Sequence, residues 1–186
     1  MTPESSWFDI RLATTPEDLL AAQRLRYRVF VSELGGDGRL VDHAAGLERD
    51  EFDPVVDHLV LVDTRRDVAS LDHVVGVYRL MSDERARDFG RFYCDSEYDL
   101  TPLRACGRPV LELGRSCVDP ACRGGSGMFL LWNALADYVL DRGIEILFGV
   151  ASFHGTDVEA LAEQTVQLVD GAFVQALLFH DAVHHG

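Results

Sequence analysis

Residues 111–132 read LELGRSCVDPACRGGSGMFLLW and change character three times in 22 positions. The stretch opens as a strand carrying Glu112 and Arg115, turns at Asp119-Pro120, crosses a glycine-rich segment and enters an apolar helix. Strict alternation puts Glu112, Gly114 and Ser116 on one face, and Arg115 with Leu111 and Leu113 on the other. An arginine embedded in an apolar face is costly unless it is paired. A β-bulge near Gly114 would add one residue and bring Glu112 and Arg115 to the same side, freeing backbone N–H groups able to stabilise an oxyanion; the alternative is an ordinary strand with Arg115 at its exposed end. The turn from Arg123 through Gly124, Gly125, Ser126 and Gly127 offers amides at a helix N-terminus, a ready anion site. It is neither a Walker loop nor a dinucleotide fingerprint.

Elements on either side of this stretch set the fold class. FDIRLAT is a short first strand. Thr15 caps a helix with Pro16 at its first position, Asp18 three residues after the cap, and Leu19, Ala22, Leu25 and Val29 at helical spacing. Gly35-Gly36 ends it. HLVLVD (58–63) and VVGVYRLM (74–81) read as a hairpin. SDERARDFGRFYCDSEYDL is an irregular or helical insertion, residues 109–118 are the next strand, Ser126 to Arg142 is helical, and IEILFGVASF (144–153) is a buried strand. The order β-α-β-β-β-α-β predicts an α/β sandwich around a mixed sheet.

The composition narrows the function classes. With 186 residues, 47% hydrophobic and 26% charged, the chain is sized for one soluble domain. A net charge of −14 argues against nucleic acid as a partner. All 17 basic residues are arginine, whose fork suits carboxylates and phosphates. No apolar run is long enough to span a bilayer and the N-terminus lacks a signal-peptide pattern, so a cytoplasmic protein with at most peripheral membrane contact is expected. Cys94, Cys106, Cys117 and Cys122 lack paired spacing, which predicts reduced thiols and no metal site. Three arginines (Arg26, Arg79, Arg115) and three acids (Asp50, Asp53, Glu112) sit at element edges, with Phe30 four residues beyond Arg26 on the first helix. Each alone is more often a surface ion pair than a catalytic group; together they call for a joint explanation.

These residues carry a resemblance. RLRYRVFVSELG, VVGVYRLM, ELGRSCVDPACRGG, LLWNALADYV and LFGVASFHGTD, from about Ala13 to Asp157, resemble the ornithine–acyl-ACP N-acyltransferases, the acyl-carrier-protein-using branch of the GNAT superfamily. The related acyl-homoserine-lactone synthases show a similar pattern to Arg26/Phe30, Asp50/Asp53, Arg79 and Glu112/Arg115. Their tryptophan shortly after the Phe is absent, with Leu34 in that neighbourhood.

The resemblance implies a GNAT-like mixed, mostly antiparallel sheet flanked by helices. It also implies transfer of a (3-hydroxy)fatty acyl group from acyl-ACP to the amine of ornithine or a similar amino acid. Glu112, Arg115 and Arg79 would be catalytic, with Glu112 as base. Arg26, Phe30, Asp50 and Asp53 would bind substrate, and Arg123, Gly124, Gly125, Ser126 and Gly127 the phosphopantetheine phosphate. No bound cofactor is required. The family's phosphate loop usually reads R/Q-x-x-G-x-G/A; R-G-G-S-G-M here fits a carrier-protein donor better than coenzyme A. An acidic carrier meeting an acidic chain needs a local arginine patch, which Arg123 with Arg24 or Arg28 would supply.

Past residue 164 the resemblance lapses. Residues 1–164 are expected to form the acyltransferase domain, and 165–186 a divergent or truncated segment packing on or trailing it. Asp170-Gly171 is a turn dipeptide there, and His180, His184 and His185 read as a polar tail. A lactone synthase and a catalytically inactive GNAT-like binding module are the competing readings.

Overall fold

A computed structural model of the protein describes residues 7–123 and 126–150. The expectations for residues 151–186, among them the segment boundary at 165, the Asp170-Gly171 turn and the histidine tail, lie outside the described residues, as do Gly124 and Gly125.

Five strands form one sheet in the order β1-β2-β3-β4-β5. They are β1 (Phe8–Leu12), β2 (Asp57–Asp63), β3 (Val74–Ser82), β4 (Val110–Val118) and β5 (Ile146–Gly149). The first three pairings are antiparallel and β4 with β5 is parallel. The mixed, mostly antiparallel sheet of the expectation is therefore present. A parallel pair needs a crossover, and α4 (Ser126–Asp141) makes it.

Helices cover both faces, so β2 and β3 read as continuous apolar runs, not as alternating ones. Leu59, Leu61, Val75, Tyr78, Leu80 and Leu111 face Leu131, Leu135 and Tyr138 of α4. Val60, Val62, Val74, Val77 and Cys117 face Ala21, Ala22 and Leu25 of α1 (Pro16–Arg26). At Gly76 a Cβ would lie 2.8 Å from a Leu131 methyl, so the glycine lets α4 approach the sheet closely. A third apolar cluster (Phe52, Val56, Met81, Phe92, Cys94, Val110) fills the space under the β3–β4 connection. That connection contains α2 (Asp83–Phe89) and α3 (Thr101–Ala105), which is the helical insertion expected. None of the helices among the described residues is long and apolar enough to cross a membrane.

Two local departures shape the site. The first helix does not run as one α-helix to Leu34: α1 ends at Arg26 and Tyr27–Glu33 continues as a π-helix. There Leu34 N–H reaches back five residues to Val29 O at 3.1 Å. Such wide turns are frequent at functional sites. The second departure is in β4. Val77 pairs with Cys117 but Arg79 with Gly114, so Tyr78 alone faces both Arg115 and Ser116. This is the β-bulge anticipated near Gly114. Arg115 takes it up with φ 49°, a left-handed conformation that costs a non-glycine residue energy. Strict alternation fails at this point, and Cys117, not Ser116, joins the α1 face.

Candidate active site

The C-terminal end of α1, the turn at 48–53, the middle of β3 and the bulge of β4 converge on the α1 face of the sheet. Arg26 is fully buried. Its guanidinium donates from Nη1 to Asp53 Oδ1 at 2.7 Å and from Nη2 to Asp53 Oδ2 at 2.8 Å. Nε donates to Glu48 Oε2 and Nη2 also to the Glu48 carbonyl, both at 2.6 Å. Gln23, one turn earlier on α1, adds a bond to Asp53 Oδ2 at 2.9 Å. Arg79 projects from β3 and donates from Nη1 to both Asp50 oxygens, at 2.7 and 2.6 Å. Arg115 reaches from the bulge to Glu48 Oε1 at 3.1 Å and lies 3.5 Å from Asp50 Oδ2.

Three arginines and three carboxylates thus interlock and balance in charge. Burying ions unpaired is prohibitive, and this closed set of charge-assisted bonds is what makes their burial tolerable. Burial would raise the Asp53 carboxyl, but the hydrogen bonds and charge of Arg26, helped by Arg79, overcome it and hold it at about 2. Burial alone would lower Arg26 and Arg115; their acidic partners raise both above the ordinary arginine value.

The expected grouping of Arg26, Asp50, Asp53, Arg79 and Arg115 is present. Glu112 and Phe30 stand differently. Glu112 is buried, and its carboxylate accepts the backbone N–H groups of Tyr93 at 2.9 Å and Cys94 at 2.7 Å. Arg115 is on the same side as Glu112, as a bulge requires, but its acidic partners are Glu48 and Asp50. Tyr93 joins the two: its amide holds Glu112 while its ring lies 5.0 Å beneath the Arg115 guanidinium. Phe30 packs on the apolar α1 cluster rather than in the charged network. Burial, then hydrogen bonding to Glu112, pushes the Cys94 thiol up to about 12, so it is no nucleophile.

Glu48, Gln23, Tyr93 and His58 are members of the arrangement that the sequence reading did not single out. Glu48 had a signal, since it lies in the same acidic run, ERDEFD, as Asp50 and Asp53. Nothing in that run distinguishes it from Glu51, which turns outward to Arg91 at 2.6 Å.

At the other end of β4, Arg123 donates from both Nη atoms to Glu33 at 2.6 and 2.7 Å. Arg28 pairs with Asp119 at 3.3 Å and Arg24 donates to the Ser70 carbonyl. All three arginines of the expected carrier-docking patch therefore already have partners. Ser126 and Gly127 form the first turn of α4, where the amides of a helix start and the helix dipole favour an anion. The Ser126 hydroxyl oxygen is buried and has no hydrogen-bond partner among the described residues.

Residues 25–133 match the acetyltransferase (GNAT) domain family. Over 156 residues the chain is 64% identical to the L-ornithine N(alpha)-acyltransferase of Rhodobacter capsulatus, covering 84% of this chain and 60% of that protein. The Brucella abortus protein of the same name is 40% identical over 150 residues, covering 79% of this chain and 53% of that protein. The chain therefore spans only between half and two thirds of the length of these curated relatives. The structure of the CoA-dependent acyl-homoserine lactone synthase BjaI, solved with MTA, aligns with a TM-score of 0.55 at 23% identity. That alignment covers 76% of this chain and 65% of BjaI, a likeness of fold.

Proposed function

The chain belongs to the GNAT acetyltransferase family, and we propose that it is an N-acyltransferase moving a (3-hydroxy)fatty acyl group from acyl-ACP to the amine of ornithine or a similar amino acid. What carries this reading is that the family match, residues 25–133, encloses all three arginines and all three carboxylates of the buried network, and Glu112 with them. The similarity to the ornithine acyltransferases supports the choice of acceptor. We place the reaction in the cytoplasm, consistent with four free thiols.

In this reading the amine nitrogen attacks the thioester carbonyl, the C–S bond breaks, and the thiolate leaves on phosphopantetheine and takes up a proton. The ammonium must first lose a proton. Glu112 is the base: its carboxylate accepts two backbone N–H groups and the Cys94 thiol, and the lone pair that remains takes the proton directly or through one water. Backbone N–H groups freed at the bulge stabilise the oxyanion. Arg115, whose side chain is 26% exposed, is the arginine open to the acceptor carboxylate. Asp50, at 19%, is open to its ammonium. Arg79 and the Arg26–Asp53 pair hold those two in place, and Phe30 contributes an apolar wall on the pantetheine side. Ser126 and Gly127, with Arg123, Gly124 and Gly125, bind the phosphate at the start of α4.

The test is mass-spectrometric detection of N-acylornithine from purified chain supplied in turn with 3-hydroxyacyl-ACP and 3-hydroxyacyl-CoA. Product from the carrier-protein thioester at a kcat/KM at least tenfold above the CoA thioester is expected. Equal use of both would remove the carrier-protein assignment. Product only with S-adenosylmethionine as acceptor would give the lactone-synthase chemistry instead.

A further inference from the structure

The Arg26–Asp53–Arg79 network leans on a buried histidine that the mechanism above does not use. His58 is the second residue of β2 and is only 5% exposed. Its Cα is paired with that of Arg79 across the β2–β3 ladder, so both side chains stand on the α1 face. Its main-chain oxygen accepts the Ala13 N–H at 2.8 Å, fixing the residue in the sheet. The imidazole Nε2 lies 3.1 Å from the Asp53 carbonyl oxygen. A carbonyl can only accept, so Nε2 carries the proton and Nδ1 is left as a bare lone pair. Nδ1 is buried and has no hydrogen-bond partner among the described residues.

The charges facing the ring are Asp53 from the 48–53 turn, Arg26 from α1 and Arg79 from β3. A proton on Nδ1 would create a donor with no acceptor among the described residues and a third cation beside two guanidiniums. Burial first, and then the charges of Arg26 and Arg79, hold the imidazole below its ordinary value against the opposing pull of Asp53.

We propose that His58 is a positioning residue in the acyl transfer proposed above: as a neutral imidazole it clamps the main chain of Asp53 where its carboxylate engages Arg26 and Arg79, and protonation of that imidazole closes the site on the acid side. The inference rests on the N-acyltransferase reading for its kinetic consequence and on the geometry alone for its structural one.

His58→Gln is the discriminating variant, because a glutamine amide places an N–H donor near the position of Nε2 and does not titrate. His58→Ala removes the donor. Two profiles are measured from pH 8 to pH 5: kcat/KM for the amine acceptor, and Tm. The wild type is expected to lose about tenfold in kcat/KM per pH unit below the His58 midpoint. His58→Gln should stay within about twofold of wild type at pH 8 and lack that acid limb, while His58→Ala is slow throughout. Parallel acid limbs in wild type and His58→Gln overturn the proposal.

Should the wild type turn over no amine, the functional reading fails while the Tm profiles still decide this one. A flatter Tm profile in His58→Gln supports it and a parallel fall overturns it. If His58→Gln does not fold, nitrogen NMR of the wild type decides. A neutral Nε2–H tautomer at pH 7 is expected, and a charged ring or an Nδ1–H tautomer contradicts the clamp.

Discussion

Arg26 and Asp53 meet fork to fork inside the protein, Nη1 to Oδ1 at 2.7 Å and Nη2 to Oδ2 at 2.8 Å, with the guanidinium wholly out of water. Twenty-seven residues separate them in sequence. The pair ties the end of α1 to the turn before β2, and Arg79 of β3 reaches the same carboxylate at 3.4 Å.

Breaking that pair from the arginine side should be severe. Arg26→Ala leaves Asp53 and Glu48 buried without their main cation, a loss of about 3–5 kcal/mol. Arg26→Lys keeps the charge but not the fork, and should fall between wild type and the alanine variant. Thermal melts at pH 7 order the three proteins.

The same pair sets an acid limit on stability. Asp53 titrates at about 2 in the folded protein against 3.8 for the free side chain. Its folded value is depressed, so its contribution is fully present above about pH 4 and is lost as the pH falls toward 2. That contribution is on the order of 2 kcal/mol. Urea unfolding at pH 5 and pH 3 should show it, and Asp53→Asn, far less stable at pH 5, should show a much smaller change between the two.

Arg115 separates strain from chemistry. Its φ of 49° is one that glycine adopts freely. Arg115→Gly relieves about 1 kcal/mol of backbone strain while removing the guanidinium from Glu48 and Asp50. The expected result is a Tm within a few degrees of wild type together with a drop in kcat/KM of about a hundredfold or more, as for loss of a substrate-orienting charge. A variant that melts normally and stays active would remove Arg115 from the site.

Glu112 carries two backbone amides on one carboxylate. In Glu112→Gln one of those N–H groups meets an NH2, donor against donor, at a cost of about 1–3 kcal/mol. Hydrogen exchange at the Tyr93 and Cys94 amides should speed up in this variant, while the amides of α4 stay protected.

Gly149 marks how closely β4 and β5 run. A Cβ there would lie 2.3 Å from the Leu113 carbonyl oxygen, which is backbone and cannot move aside alone. Gly149→Ala should lower Tm by several degrees, through a loss of about 1–3 kcal/mol.

How much of this was legible in the sequence depends on the range of the interaction. Strand and helix positions followed from local patterns: the β-branched runs of β2 and β3, the Thr15 cap, and the apolar spacing of α4. The bulge was legible too, because Leu111, Leu113 and Arg115 could not all share one apolar face. The partnerships were not. A bulge and a Glu-x-x-Arg spacing pair Arg115 with Glu112, whereas three-dimensional closure gives Arg115 to Glu48, 67 residues away, and gives Glu112 to the Tyr93–Cys94 turn. The π-helix after Arg26 has no apolar signature separating it from a continuing α-helix. His58 looked like one more residue of an apolar strand until Asp53 was seen against it.

Acyl transfer through Glu112 is read out by thiol release from 3-hydroxyacyl-ACP, followed with and without ornithine, for the wild-type chain and Glu112→Ala, each shown to be folded. Ornithine-dependent release by the wild type that disappears in Glu112→Ala is the predicted result. A folded wild type that releases no thiol with ornithine or any other amino acid would contradict it.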